Sequence, residues 1–225
     1  MDISIVIPVY NSETTLRPLI KMLESALQQY HFEVILVNDC SKDKSEALGN
    51  QLATEKVFVK FISLRRNYGE HNAVMCGLNF TTGKYVIIMD DDLQNPPSEL
   101  HKMIDAAKSS GADVIYSKYA TKKHHFFRNL GSQFNNYIST TLLEKPKDLY
   151  LSSFKLIRGE VVQEIIKYKG PFPYVDGLIW RVTNSYLQVE VEHLAREEGA
   201  SNYTLKKLIG LYLNMFLNFS IKKSA

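Results

Sequence analysis

A chain of 225 residues with 45% hydrophobic content is long enough to bury the core of one large globular domain. Its two cysteines, Cys40 and Cys76, have no paired spacing, which argues against CxxC chemistry and a cysteine-rich zinc site and favours a reducing setting. The N-terminus lacks a basic segment followed by an apolar one, so no export signal is expected.

Charge is unevenly distributed along the chain, although the formal net charge is only +3. Residues 1–117 carry 11 Lys and Arg against 15 Asp and Glu, residues 118–158 carry 8 against 2, and residues 159–225 carry 8 against 7. An acidic first half and a basic middle indicate either separate sites for a metal and an anionic partner, or a solvated basic face without a specific ligand.

The first half of the sequence alternates between predicted strands and predicted helices. Strands are predicted at residues 3–10, 32–39, 57–64, 84–90 and 113–119, and helices at 13–29, 43–54, 70–80 and 97–109. Alternation at this spacing is typical of βαβ crossovers. The predicted fold class is therefore α/β, with a mostly parallel sheet flanked by helices.

The second half of the sequence is less regular. Helices are predicted at residues 126–142, 159–168 and 203–219, and strands at 149–157 and 185–194. Because no repeat, low-complexity tract or linker separates the halves, we expect a single domain over residues 1–225.

Polar residues follow four predicted strands at their carboxyl ends, over residues 8–11, 38–41, 65–67 and 90–92. Parallel sheets bind ligands at this edge, so the four polar exits predict a functional site there. The sequence has no GxxxxGK[ST] loop and no GxGxxG after the first strand, which argues against a P-loop or a dinucleotide site.

Three adjacent carboxylates, Asp90, Asp91 and Asp92, end the fourth predicted strand. Strand alternation predicts that Asp90 and Asp92 share one face and that Asp91 points away. Mutual repulsion makes it costly to ionise all three unless a cation binds among them. Together with the amide oxygen of Gln94 they form an all-oxygen set that suits Mg²⁺ or Mn²⁺. A solvated turn or a helix N-cap is the alternative interpretation.

Four ordered segments resemble the motifs of family 2 glycosyltransferases of the GT-A fold: SIVIPVYNSE, VILVNDCSKD, LRRNYGEHNAV and GKYVIIMDDDLQNPP. The later segment REEGASNYTLKKL adds to this resemblance, which is greatest to the dolichyl-phosphate mannose synthase and polyprenyl-phosphate glycosyltransferase group. It covers essentially the whole chain. It implies a nucleotide-sugar and metal half at residues 1–117, and a mixed acceptor half at residues 118–225 with a C-terminal amphipathic helix.

The resemblance also implies roles for individual residues. The positions that match the nucleotide-sugar site are Pro8, Tyr10, Asn11, Glu13, Asp39, Asp90, Asp91 and Ser201, and those that match the metal ligands are Asp90, Asp92 and Gln94. Asn38 stands where an Asp usually precedes the residue that matches Asp39. Arg196 and Ser201 match the segment that closes over the diphosphate.

The acceptor phosphate would be bound by Lys118, Arg128 and Ser132. Arg128 and Ser132 are four residues apart and would share one helix face. Lys118 stands where relatives often have Arg, so a point charge remains and the bidentate fork is lost. Each of these side chains taken alone is also compatible with a solvated surface position.

The residues implied in catalysis are Asp92, Arg196 and Asp176. Bound metal and Arg196 would stabilise the negative charge on the leaving diphosphate. Asp176 would be a general base or would cap the helix that follows it. A phosphate acceptor is already ionised at neutral pH and does not need a base.

The expected function is inverting, metal-dependent transfer from a nucleoside-diphosphate sugar, UDP before GDP, to a polyprenyl phosphate. One alternative is a family 2 enzyme that acts on a sugar hydroxyl in cell-surface polysaccharide assembly, and another is a non-catalytic nucleotide-sugar binder. We expect a cytoplasmic protein that is peripheral at the inner face of the membrane, without a nucleic-acid partner; a homo-oligomer is left open. The apolar residues 208–221 are too few to span a bilayer and would lie on its surface or pack in the core.

Overall fold

The computed structural model describes residues 2–119, 146 and 149–194. Its strands are Ile3–Val9 (β1), Phe32–Asn38 (β2), Val59–Ser63 (β3), Tyr85–Ile88 (β4), Val114–Tyr119 (β5), Lys155–Arg158 (β6) and Tyr186–Val191 (β7). Its α-helices are Leu16–Ala26 (α1), Ser45–Glu55 (α2), Glu70–Leu78 (α3), Leu100–Ser110 (α4), Gly159–Ile165 (α5) and Val175–Val182 (α6). A 3-10 turn, Pro97–Glu99, leads into α4.

The strands form one sheet in the order β3-β2-β1-β4-β6-β5-β7. β1 pairs in parallel with β2 and β4, β2 with β3, and β5 with β7, whereas β6 is antiparallel to both of its neighbours. The prediction of a mostly parallel α/β sheet is confirmed. Because β6 runs in the opposite direction, its first residues lie at the edge where β1, β2 and β4 end.

Both faces of the sheet are covered, because alternate residues of its central strands are apolar on each side. On one face, Ile5 of β1 and Ile87 of β4 pack in the cluster that contains buried residues of α1 and α4. On the other face, Val6 and Ile88 pack against buried residues of α3, α5 and α6. This two-sided burial explains why these strands read as continuous apolar runs in the sequence.

Element bounds differ from the predictions where the chain approaches the carboxyl edge. β4 ends at Ile88 rather than at residue 90, and β6 covers only the end of the strand predicted at 149–157. The helices predicted at 126–142 and 203–219 lie outside the described residues. Among the helices that are described, none combines the length and the apolar character that a membrane span requires.

Candidate functional site at the carboxyl edge of the sheet

Backbone conformations that residues other than glycine seldom adopt occur at this edge. Within the described ranges, the non-glycine residues with positive φ are Asn11 (57°), Cys40 (59°) and Leu93 (61°). They lie in the loops that follow β1, β2 and β4. Such conformations cost free energy and persist where surrounding contacts hold them, which is common at ligand sites.

The loops after β1 and β2 are joined by hydrogen bonds. The side-chain oxygen of Asn11 accepts from the amide of Lys42 at 2.8 Å, and the Asn11 amide donates to the Ser41 hydroxyl at 3.0 Å. The Glu13 carboxylate accepts from the Lys44 amide at 2.8 Å. Asn11 and Glu13, both predicted to bind nucleotide sugar, therefore hold these two loops together.

Asp39 is 4% exposed and holds the start of α3. Its two carboxylate oxygens accept from the amides of Tyr68 at 2.7 Å and Gly69 at 2.8 Å. Gly69 precedes α3 with φ of 91°, a region that favours glycine. A carboxylate has further lone pairs, so these bonds are compatible with the predicted nucleoside contact, which stays a prediction.

The three adjacent carboxylates lie in a loop beyond β4, so strand alternation does not decide their directions. Asp90 accepts a hydrogen bond from the Ser153 hydroxyl at 2.6 Å, just before β6. Asp91 accepts from the amide of Tyr10 at 3.3 Å and from the hydroxyl of Ser12, in the loop after β1. We call the segment that contains Asp90, Asp91 and Asp92 the acidic loop. Asp91 connects it to the loop after β1, and Asp90 connects it to the segment just before β6.

Burial is the main cause of the perturbed pKa values in this loop. Burial, followed by the negative charge of Glu70 and that of Asp92, raises the pKa of Asp90 to about 7. Burial also raises the pKa of Asp91 to about 7, against the hydrogen bond from Ser12. Repulsion between adjacent carboxylates, which the sequence suggested as the cause, is thus a smaller effect than loss of solvent.

Two of the three predicted metal ligands, Asp92 and Gln94, are in direct contact. The amide of Gln94 donates to Asp92 Oδ1 at 3.1 Å, and the Gln94 side chain donates from its amide nitrogen to the Leu194 carbonyl at 3.1 Å. That bond uses the nitrogen rather than the oxygen that would bind a cation. Across the described ranges, no group of three or more His, Cys, Asp or Glu side chains is arranged to hold a metal ion.

The donor set nevertheless fits a hard divalent cation. Asp90 and Asp92 supply carboxylate oxygens, and Mg²⁺ and Mn²⁺ commonly use few protein ligands together with substrate phosphates. Since the charges of Glu70 and Asp92 both disfavour ionisation of Asp90, a cation bound among these groups would be stabilised electrostatically.

Asp176 lies in the first turn of α6, after Tyr174 at the N-cap position, so it is not the cap of this helix. It forms a buried ion pair with the Lys155 ammonium and accepts a hydrogen bond from the Tyr116 hydroxyl at 3.3 Å. Burial, followed by the charge of Asp176, raises the pKa of Tyr116 well above its ordinary value. The carboxylate predicted as a general base therefore already has a cationic partner.

The remaining predicted site residues are only partly described. Pro8 lies in β1, in register with Val37 of β2. Lys118 is exposed near the end of β5, in register with Glu190 of β7. Arg128, Ser132, Arg196 and Ser201 lie outside the described residues.

A cavity of about 150 Å³ lies beside the acidic loop and is distinct from a larger one at the opposite edge of the sheet. Its polar and aromatic lining residues are Glu70, His71, Ser153, Lys155, Tyr174 and Asp176. The larger cavity, about 370 Å³, lies at the amino ends of the parallel strands and is lined by Lys84 and Arg158 among others. Position relative to the acidic loop, rather than size, makes the smaller cavity the functional candidate.

Sequence reasoning missed Ser12, His71, Ser153 and Lys155 as members of this edge. Lys155 had a usable signal, since a lysine inside the apolar run SSFKLI must be paired when that run is buried. Ser12 lies between Asn11 and Glu13 in the motif that follows β1. His71 and Ser153 had no local signal, because the packing of α3 on β1 and the pairing of β6 with β4 bring them to this edge.

Comparison with known sequences gives the same family that the sequence motifs resemble. Residues 4–166 match the family described as glycosyl transferase family 2. The undecaprenyl-phosphate 4-deoxy-4-formamido-L-arabinose transferase of Photorhabdus laumondii is 32% identical over 216 residues, and that of Pectobacterium atrosepticum is 32% identical over 217. The match covers 95% of this chain, which spans 66% of the length of each of these relatives.

Solved structures show the same fold at lower identity. The structure of Mycobacterium tuberculosis glucosyl-3-phosphoglycerate synthase in complex with Mn²⁺, UDP-glucose and phosphoglyceric acid has a TM-score of 0.66 at 16% identity, and covers 99% of this chain and 81% of that one. S. aureus TarS 1–349 in complex with UDP-GlcNAc has a TM-score of 0.63 at 20% identity, and covers 99% and 68%. Because residues 4–166 match this family, the chain belongs to glycosyltransferase family 2.

Proposed function

We propose that the chain is the catalytic domain of an inverting, metal-dependent glycosyltransferase that moves a sugar from a nucleoside diphosphate, UDP before GDP, to a polyprenyl phosphate. The observation that carries the proposal is the position of the acidic loop. Asp91 is hydrogen-bonded to the loop after β1, and Asp90 is hydrogen-bonded to the segment just before β6. This loop lies where the loops after β1 and β2 also meet.

The donor side of the proposal rests on the joined loops after β1 and β2. Asn11, Glu13 and Asp39 orient the backbone there, and parallel sheets receive nucleotides at this edge. Asp90 and Asp92 would hold Mg²⁺ or Mn²⁺, with the side-chain oxygen of Gln94 as a third donor, since the bond to Leu194 engages the amide nitrogen. The bound cation would supply positive charge to the leaving diphosphate. UDP as the nucleotide is supported by the UDP-sugar complexes of two neighbours in fold.

The acceptor side rests on the ion pair of Asp176 and on the relatives. A sugar hydroxyl must lose its proton to a base, but the carboxylate of Asp176 is engaged by Lys155 and Tyr116. A phosphate monoester needs no base, since it is ionised at neutral pH. Two relatives at 32% identity are named as undecaprenyl-phosphate transferases. Lys118, Arg128 and Ser132 are the proposed phosphate contacts.

The proposed reaction is a direct displacement at the anomeric carbon. An oxygen of the acceptor phosphate forms the new bond to this carbon while its bond to the diphosphate oxygen breaks, and the electron pair leaves with the nucleoside diphosphate. Arg196 would neutralise part of the charge that develops on the leaving group. Attack from the face opposite the leaving group inverts the configuration.

Transfer of labelled sugar tests the proposal. The protein is incubated with Mn²⁺, radiolabelled UDP-sugars or GDP-sugars, and undecaprenyl phosphate in detergent, and the label is then extracted into organic solvent. We expect metal-dependent label in the organic phase, released by mild acid. Label transferred only to a glycan acceptor would favour the hydroxyl-acceptor enzyme, and donor binding without any transfer would favour a nucleotide-sugar binder.

A further inference from the structure

The larger cavity, at the amino ends of the parallel strands, has the size of a small-molecule site. Its volume of about 370 Å³ exceeds the roughly 300 Å³ at which such sites begin. We call it the amino-edge cavity. β4 lies between this cavity and the acidic loop, and its four residues span about 10 Å. A ligand in the amino-edge cavity would therefore be separate from the site of the proposed transfer. The polar side chains that line the cavity are those of Thr81, Thr82, Lys84, Arg158, Glu160 and Gln163.

The antiparallel pairing of β4 with β6 brings two cations to this cavity. Lys84 directly precedes β4, and Arg158 is the last residue of β6, in register with Tyr85. The backbone turns beside them approach closely, because a Cβ on Gly159 would lie only 2.6 Å from the Gly83 carbonyl oxygen. Two residues that are 74 positions apart in the sequence thus line one cavity.

Neither cation is paired with a carboxylate in the part of the chain that the structure describes. The Lys84 ammonium is exposed and lies 5.7 Å from the centre of the Tyr85 ring. The Nε atom of Arg158 is buried and has no hydrogen-bond partner among the described residues. Buried nitrogens of this kind are nearly always hydrogen-bonded in folded proteins, so we expect an acceptor that enters the cavity.

The carboxylates near the cavity do not cancel the two cations. Glu160 lines the cavity, but it is exposed and forms no ion pair within the described ranges. Glu33 accepts a hydrogen bond from the Thr82 hydroxyl, and it has its own cationic partner in Lys60 at 2.7 Å. With two cations and one carboxylate, the described lining carries one net positive charge. The charge and the hydrogen-bond donors of the lining therefore favour an anion.

We infer that the amino-edge cavity binds a small molecule through a phosphate or diphosphate group, with Arg158 and Lys84 as its contacts. The planar guanidinium of an arginine can bind a phosphate with two parallel hydrogen bonds, and a lysine adds a point charge beside it. The volume equals that of roughly twelve water molecules in the liquid, which leaves room for more than one phosphate group. The inference does not depend on the proposed function, since it uses none of the residues proposed to bind the donor or the acceptor.

Calorimetric titration with inorganic pyrophosphate tests the inference. EDTA is present throughout, so that no metal ion can bridge the pyrophosphate to the acidic loop. We expect the wild-type protein to bind pyrophosphate, and we expect Arg158→Gln and Lys84→Gln each to weaken this binding by at least about tenfold, the effect of one charge-assisted hydrogen bond. Lys84 is exposed, so its variant keeps the test valid if Arg158→Gln lowers stability.

Lys108→Gln is the matched control for Lys84→Gln, because Lys108 is also exposed and its ammonium lies over a tyrosine ring, that of Tyr30, at 4.9 Å. Lys118→Gln is the control for the carboxyl edge. Both variants should keep the wild-type affinity. Absence of pyrophosphate binding overturns the inference, and so does binding that Arg158→Gln and Lys84→Gln leave unchanged. An equal loss in Lys108→Gln or Lys118→Gln also overturns it, since the anion would then respond to overall charge or bind at the other edge. None of these results bears on the proposed function.

Discussion

Lys155 and Asp176 form an ion pair whose side chains are only 4% and 9% exposed, next to the loop that holds the three adjacent carboxylates. Lys155 comes from β6 and Asp176 from α6, so the pair ties the antiparallel strand to the helix beside the cavity. Each charge compensates for the loss of water around the other. Removing one partner therefore has a different consequence from removing both.

Lys155→Met should lower the free energy of unfolding by about 3–5 kcal/mol, because it leaves the Asp176 carboxylate buried without a cation. Lys155→Met combined with Asp176→Asn should lose less than the sum of the two single changes, by about 0.5–3 kcal/mol. Urea unfolding of the four proteins measures this coupling. Lys167→Met, which breaks an exposed pair with Glu164, is the control and should change stability little. Strict additivity would show that the two buried groups do not depend on each other.

Asp92→Asn should lower transfer by about 100-fold or more, because it removes a carboxylate proposed to hold the cation under the diphosphate. The same variant should lose the Mn²⁺-dependent part of its affinity for UDP, measured by calorimetry. Asp105→Asn, an exposed residue on α4, is the matched control and should retain both properties. A fully active Asp92→Asn protein would refute the metal site proposed here.

Asn11→Ala should lower stability by about 1–2 kcal/mol, since Asn11 has φ of 57° and its side-chain oxygen accepts from the Lys42 amide. Asn11→Gly loses the same hydrogen bond without the backbone strain, so it should be the more stable of the two variants. Thermal unfolding, read together with the Kd for UDP, separates strain from ligand contact. A Gly variant no more stable than the Ala variant would contradict the role of the backbone conformation.

We expect the free energy of unfolding to fall at acidic pH because of Glu33. Burial alone would raise the pKa of Glu33, but the Lys60 ammonium at 2.7 Å and hydrogen bonds from Ser4 and Thr82 outweigh it and hold the pKa below 4.5. A carboxylate whose pKa is lowered on folding stabilises the protein above its unfolded-state pKa, and this contribution is lost as the pH falls through the folded-state value.

Glu33→Gln should therefore be less stable than wild type at pH 7, by about 1–3 kcal/mol, and the difference should shrink as the pH falls below 4.5. Urea unfolding between pH 7 and pH 3.5 measures it. Glu24→Gln, which removes a half-exposed partner of Lys56, serves as the control and should differ little from wild type across this range. A difference between Glu33→Gln and wild type that stays constant with pH would exclude a titrating Glu33.

The α/β class and the edge that carries the site could be predicted from short-range patterns. Apolar strands such as β1 and β2, alternating with amphipathic helices, determine crossovers and hence parallel pairing. Asp90 to Asp92 could be placed at the carboxyl edge because they follow an apolar strand directly. Their directions could not, since β4 ends at Ile88 and hydrogen bonds to Ser153 and Ser12 orient the loop.

The fold class and the position of the acidic loop could be predicted from neighbouring residues and their periodicity, and the family from the ordered motifs that resemble it. Three contacts at this edge could be seen only in the folded chain: Lys155 neutralises Asp176, Ser153 donates to Asp90, and the half-buried His71 lies edge-on to the ring of Tyr174. These contacts join residues that are far apart in the chain. They form because β6 runs antiparallel beside β4 and brings its first residues to the same edge, a pairing that no local pattern specifies.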